Sequence, residues 1–436
     1  MRHSAHGLAA NPALTRAALD RLVAVGGWAL DDELAERADL TDGQVEALAG
    51  RGSSSVLVTL VRRGRVGLSA VEHRPWAIVA LLDDHDIPEA WLWRVAGEPD
   101  SDLRAELALA AACPPELLRL LAQDAELVSS VAASAALTPE LAAELAGHSD
   151  AEVRRAVAAN EHAPASLLAG LVAAVSATDH DLALALAGNP AAAAQALVGH
   201  PSRLVRLALA GRTDLGPDSY RALAREEAVR PELAANPAIG EALIRELATS
   251  ELRQWIARNP AVPLDVLTDL APGLRIGPAP LPRIAVATQA ELRRFAGGPL
   301  RALVAQHPDL PEELAATMLD DPDPRVAKAV APHPLVTAEQ LRRMTARHGA
   351  AVAAGVVRNP NCPPDLLGAT AGKRLLRAIA THPNTAPATV AALLDHDDDL
   401  VAASAAANPA LPAEAVERIL RSVESRTSTA ADYGYA

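Results

Sequence analysis

Apolar positions along this chain come in short bursts at helical spacing, each closed by a polar residue and a proline. In residues 149–171, SDAEVRRAVAANEHAPASLLAGL, Val153, Ala156 and Val157 fall at i, i+3 and i+4, which predicts a short amphipathic helix. Ser149 or Asp150 is placed to cap its free N–H groups. Asn160 stands where that helix must stop and reads as a turn residue tolerant of the left-handed conformation that ends helices. Pro164 then opens a second helix at its first turn, where its missing N–H costs nothing, and Leu167, Leu168 and Leu171 carry that helix's buried stripe. TPELAAELA at 138–146, LPEELAATML at 310–319 and LPAEAVERIL at 411–420 follow the same pattern.

The Asn-Pro or His-Pro stop recurs at Asn189, Asn236, Asn259, His307, His333, Asn359, His382 and Asn408. Degenerate copies fall near Thr213 and Arg283, and the period continues upstream through Asn160, Ser134, Ala110 and Asp84, then Arg62 and Ala38, to Asn11. The spacing of roughly 25 residues lies in the range of solenoid repeats and gives about seventeen units. One unit of two short helices cannot bury a core alone, so its neighbours must bury it by stacking. The expected fold is therefore all-α, an α-solenoid of two-helix repeats, with α/3₁₀ or α/α pairing left open. HEAT and armadillo units, at roughly 40–47 residues, are too long for this period.

Composition supports that reading. Half of the 436 residues are hydrophobic but only 2% are aromatic, so an aromatic-rich β core and base-stacking platforms are excluded, and Ala, Leu and Val must build shallow helix interfaces. The 33 prolines become spacing marks, close to two per unit, and not a sign of disorder. A net charge of −14 disfavours nucleic acid and anionic lipid as partners. No apolar run approaches the roughly 20 residues of a membrane span. The N-terminus has no apolar signal core, and two cysteines make no disulfide framework, so a reducing cytoplasm is expected.

The segments VRRAVAANEHAP, VAKAVAPHPLV and LRQWIARNPAVP, each followed by a Leu-containing helix and an acidic turn, resemble the leucine-rich repeat variant family. The resemblance is clear from about residue 100 to 420 and weak before that. It implies a right-handed solenoid with one α and one 3₁₀ layer. Some members of that family hold a 4Fe–4S centre on an N-terminal cysteine cluster, but no cysteine precedes Cys113 here, and no cofactor is expected. The organisation this suggests is a stretch of divergent N-terminal repeats or a capping region over 1–100, a solenoid over 101–421 and a disordered tail over 422–436.

Candidate sites are few. Cys113 and Cys362 occupy matching turn positions in CPPELL and CPPDLL, too far apart along the stack for a disulfide, and read as small packing residues. His307, His333 and His382 fill the Asn position of their units, where stacking some 8–10 Å apart prevents shared ligation of a metal. The acidic clusters DDHD at 83–86 and DHDDD at 395–399 read as helix caps. Arg104, Arg154, Arg253 and Arg301 fall six residues before the stop position, with Arg206 one residue off. They form either a solvated stripe pairing with acidic turns or a groove for an acidic protein segment. Trp91 aligns with core leucines, whereas Trp76 aligns with Glu152, Glu251 and Arg325 and Trp93 with Arg119 and Ala169, so these two are candidates for an exposed partner site, a role for which aromatics are enriched. No phosphate-loop, dinucleotide, zincin or nucleophile-elbow motif is present. The function expected is a non-catalytic scaffold for a protein or peptide partner. The alternatives are a nucleic-acid-associated solenoid using the Arg ladder, and an enzyme or immunity-type inhibitor with its site in the irregular stretches 20–75 or 270–300.

Overall fold

The structure, a computed structural model, describes residues 2–369 and 372–432, with side chains described over 4–369 and 372–425. Among the described residues it is entirely helical, an α-solenoid in which seventeen two-helix units follow one another from Arg2–Ala9 with Arg16–Val25 to Asp399–Ala406 with Ala413–Asp432. Both helices of a typical unit are α, as in Ala151–Ala159 with Ala165–Ala174. The α/3₁₀ alternation that the family resemblance implies is not what the chain builds, since 3₁₀ turns occupy only short elements such as Leu68–Val71 and Ala194–Leu197. The chain divides into two compact units, residues 1–70 with 276–436 and residues 71–275.

The caps behave as the pattern predicts, with one instructive exception, while the buried faces are shifted: Ala156, Leu167 and Leu171 are only half-buried, and the second helix buries Leu168 and Val172. Asp150 caps Ala151–Ala159 by accepting the Glu152 N–H at 2.8 Å, and Val153, Val157 and Ala158 are fully buried. Pro115, Pro139 and Pro217 stand in the first turn of their helices, whereas Pro164 and Pro263 hold the cap position itself. The exception is the asparagine stop. Asn160 has φ −73° and ψ 113°, and among the described residues only glycines have positive φ. It is an extended residue whose side chain is buried between units. Asn160 Nδ2 donates to the carbonyls of Ala132 at 2.9 Å and Ser134 at 2.8 Å in the preceding unit, while its Oδ1 accepts the His162 N–H at 2.9 Å. Asn189, Asn236 and Asn259 repeat this in the 71–275 unit. Asn359 and Asn408 repeat it in the other. The recurring Asn is thus a rung of an inter-repeat hydrogen-bond ladder, not a left-handed helix terminator.

The ladder also corrects the sequence register at two degenerate copies. The rung residue is Arg212, not Thr213: its guanidinium donates to Ala187 O and Asn189 O at 3.2 and 2.5 Å, and Asn236 reaches back to Arg212 O in turn. Likewise Arg37, not Ala38, donates to Ala9 O and Asn11 O at 2.7 and 2.8 Å. Both arginines are almost completely buried and pair with an aspartate two residues on, Asp39 or Asp214. An Arg-x-Asp triplet therefore replaces Asn at these rungs.

In the unit formed by residues 1–70 and 276–436, the two ends of the chain are stacked together. Helix Arg2–Ala9 lies on helix Asp399–Ala406 so closely that a Cβ at Gly7 would overlap the Ala403 carbonyl. Asn11 Nδ2 donates to Ala406 O at 3.0 Å and Asn408 O at 2.7 Å, the same bonds that other rungs make to the unit before them. The first repeat therefore stacks on the last as an ordinary rung. The final helix, Ala413–Asp432, also runs through most of the segment expected to be a disordered tail. Arg21 anchors it, with Nη1 at 2.6 Å from Glu417 and Nε at 2.6 Å from Glu424. Residues 433–436, with two of the three tyrosines, lie outside the described residues.

Candidate interaction groove

The first helices of successive repeats in the 71–275 unit form a row: Pro75–Leu81, Ser101–Leu109, Val128–Ala132, Ala151–Ala159 and His180–Gly188, each in contact with the next. Each turns one side to the core and presents the other outward. Two depressions lie along that outer side. One, of about 310 Å³, is lined by Trp76, Val79, Ala80, Asp83, Glu106 and Leu109. The other, of about 750 Å³, begins at the same Leu109 and continues over Ser130, Ala133, Ala156 and Ala159 to Leu184 and Gly188. Leu109 and Trp76 are 40% and 44% exposed, large apolar side chains left in water at the wall of the groove. Among the described residues, the acidic lining is Asp83, Glu106, Glu152 and Asp181 against Arg155, and Arg155 pairs with Glu152 at 3.2 Å.

Sequence reasoning missed this groove except for Trp76, although a signal exists. The position just before each rung is Leu109, Ala133, Ala159, Gly188 and Gly211 in successive units, a column of small residues bounded by one leucine. Small side chains there leave the space between ridges unfilled.

The structure separates the other candidates. Trp93 is exposed as expected but sits on a second-layer helix, Glu89–Ala96, where its Nε1 donates to Glu89 at 2.9 Å, and it does not join Trp76 in either depression. Trp91 is half-buried. Trp28 is 80% exposed. The arginine ladder is real, and the corrected register puts Arg206 six residues before its rung like the others. Its members are committed within the chain. Arg104 pairs with Asp124 at 2.8 Å, Arg206 with Glu226 at 2.5 Å and Arg301 with Asp321 at 2.9 Å. Arg154 donates to His148 O and Ser149 O, and Arg253 to Ser250 O. Half-buried, Arg104, Arg206 and Arg301 tie their helices to a carboxylate of the following turn, while Arg154 and Arg253 close the turn before their own helices.

The remaining candidates are also structural. Cys113 and Cys362 are buried free thiols, and burial pushes both up to about 11. His382 stands as a rung, with Nδ1 accepting the Asn384 N–H at 3.1 Å and Nε2 facing Asn359 O at 2.9 Å. His307 and His333 accept the N–H two residues ahead in the same way. In the acidic clusters, Asp398 caps its helix, His396 accepts the Asp398 N–H, and Asp83 accepts the Ala112 N–H. Among the described residues no three His, Cys, Asp or Glu side chains converge as a metal site, and no helix is long and apolar enough to cross a membrane.

No protein-family model matches the chain, and no curated protein matches it. Among solved structures, a crystal structure described as that of an engineered protein is similar at 14% identity over 96% of this chain and 99% of that one, with a TM-score of 0.14. A likeness at that score carries no argument here.

Proposed function

We propose that this protein is a non-catalytic interaction scaffold, a repeat solenoid that presents a groove to a protein or peptide partner in the cytoplasm. The observation that carries this reading is the groove over the first helices of the 71–275 unit, with Trp76 and Leu109 exposed along one continuous lining. Exposed aromatic and aliphatic anchors beside a depression are what protein interfaces concentrate their binding energy on. The resemblance of the repeat to the leucine-rich repeat variant family fits the same role, since stacked short helices offer surface and little enclosed volume. A nucleic-acid reading loses its support, because the arginines it relied on are held by carboxylates and carbonyls of the chain itself.

The test uses the full chain as bait in lysate from its own cells, with chemical crosslinking before capture. Bait with Trp76→Glu and Leu109→Glu together should lose a partner that the wild-type protein retains, while its circular-dichroism melt is unchanged. If every captured protein is kept by the double variant, the groove is not the binding surface.

A further inference from the structure

The charge of the groove identifies the kind of segment it takes, an inference that rests on the scaffold reading above. We infer that the occupant is a cationic segment of a partner protein, one that alternates Lys or Arg with apolar side chains. Among the described residues of the groove lining, Asp83, Glu106 and Asp181 outnumber the single arginine, Arg155, which pairs with Glu152, and Asp83 is met only by the Ala112 N–H. Three carboxylates around an apolar floor repel an acidic segment and attract a basic one. Electrostatic complementarity of this kind governs encounter rate and rejects wrong partners. The sequence-based alternative of an acidic ligand on an arginine groove is thus reversed in sign.

The floor sets the second requirement. Ala133, Ala159 and Gly188 let a ligand come close to the helices, and Leu109 and Trp76 supply the apolar wall. Helices stacked roughly 8–10 Å apart place the five-helix row over a length on the order of 32–40 Å. An extended segment of about ten to twelve residues, at roughly 3.3 Å each, spans it. Such a segment can meet Asp83 and Glu106 near one end and Asp181 near the other, with apolar residues between them on Leu109 and the alanine floor.

A random twelve-residue peptide library displayed on phage and panned on the immobilised full-length protein tests this. Enriched peptides are then synthesised and titrated by fluorescence anisotropy against three proteins. These are the wild type, Glu106→Lys with Asp181→Lys, and a control carrying Glu116→Lys with Glu140→Lys on exposed second-layer positions of the same unit. Both doubles change net charge equally, so general attraction to an acidic protein cancels. Cationic, apolar-containing peptides that bind the groove double at least tenfold more weakly, and the control within twofold, are the expected result. Glu106→Gln with Asp181→Asn should weaken them in the same direction. Enrichment of neutral or acidic peptides, or equal losses in both lysine doubles, overturns the charge assignment while leaving a peptide-binding scaffold in place. No enrichment of any peptide overturns both.

Discussion

At the scale of single residues, the asparagine rung is the unit of specification. Asn236 is 3% exposed and satisfies three backbone groups at once, donating to Ala210 O and Arg212 O, both at 2.6 Å, and accepting the Ala238 N–H at 2.8 Å. Removing that side chain leaves Ala210 O and the Ala238 N–H without their partner, at about 1–3 kcal/mol apiece, while Tyr220 still donates to Arg212 O at 2.9 Å. Asn236→Ala should therefore cost roughly 2–5 kcal/mol, read as lost amide protection on both sides of the rung by hydrogen exchange. Asn236→Asp should cost at least as much, since it offers no donor to the two carbonyls. A second residue carries a pH signature. Burial, then the neighbouring His180 ring at 5.5 Å and the Arg206 charge, hold His200 below the ordinary imidazole pKa, although its contact at the Ser176 backbone opposes this. The folded state binds that proton less readily than the unfolded chain, so the contribution is complete above about pH 6.5 and is lost as pH falls. Wild-type melting temperature should drop more between pH 8 and pH 5 than that of His200→Asn, which keeps an acceptor for the Ser202 N–H. The recurrence of Asn was visible in the sequence, but its reason was not. A turn residue and an inter-repeat donor leave the same trace, and only partners some 26 residues away distinguish them. Arg212 and Arg37 stayed hidden because a long guanidinium can perform the rung's task from a residue type that normally marks a surface.

At the scale of elements, the helices and their number were legible from spacing alone, because short helices punctuated by proline leave few other readings. The helix type of each layer was not, since α and 3₁₀ turns of four to nine residues share the same apolar pattern. Close approach between first-layer helices is set by glycine where backbones nearly touch. Gly355 lies against the Lys328 carbonyl, and Gly7 against that of Ala403. A side chain there must push one helix off the next, so Gly7→Val should destabilise by about 1–3 kcal/mol, as overpacking does. Gly170, inside helix Ala165–Ala174 with open space around it, makes the contrast. Gly170→Ala should stabilise by about 0.5–1 kcal/mol through the lower entropy of the unfolded chain. Paired thermal melts of the two variants check the opposite signs. The groove belongs to the same scale: it exists because one column of first-layer positions is small, and a column is invisible until the register of its units is fixed.

At the scale of the whole chain, the joining of its two ends could not be read from sequence, because it depends on contacts between residues nearly the full length apart. An open solenoid needs terminal repeats with polar outer faces. Here Leu8 and Ala9 of the first helix, and Val401, Ala402, Ala405 and Ala406 of the last first-layer helix, are all buried in the unit they share. Helix Ala413–Asp432 runs on where the repeat pattern has lapsed, and Arg21 holds two of its carboxylates. Hydrogen bonds from Arg21, then from Arg421, bring Glu417 down to about 2. A carboxylate depressed in the folded state contributes stability that is present above about pH 4.5 and is lost as pH falls toward 2. Arg21→Ala should remove part of this acid sensitivity and raise the exchange rate of amides in 417–424 at neutral pH. Deleting residues 1–26 makes the stronger case, since it uncovers an apolar helix face with no polar cap behind it. Stability in stacked repeats is carried by nearest-neighbour interfaces, so the damage should fade with distance. Exchange protection should fall most in Asp399–Ala406, less in Leu376–Thr381 and least in Pro324–Val330. A truncated protein that protects all three helices as the intact chain does would show that the two ends merely lie side by side and do not support each other.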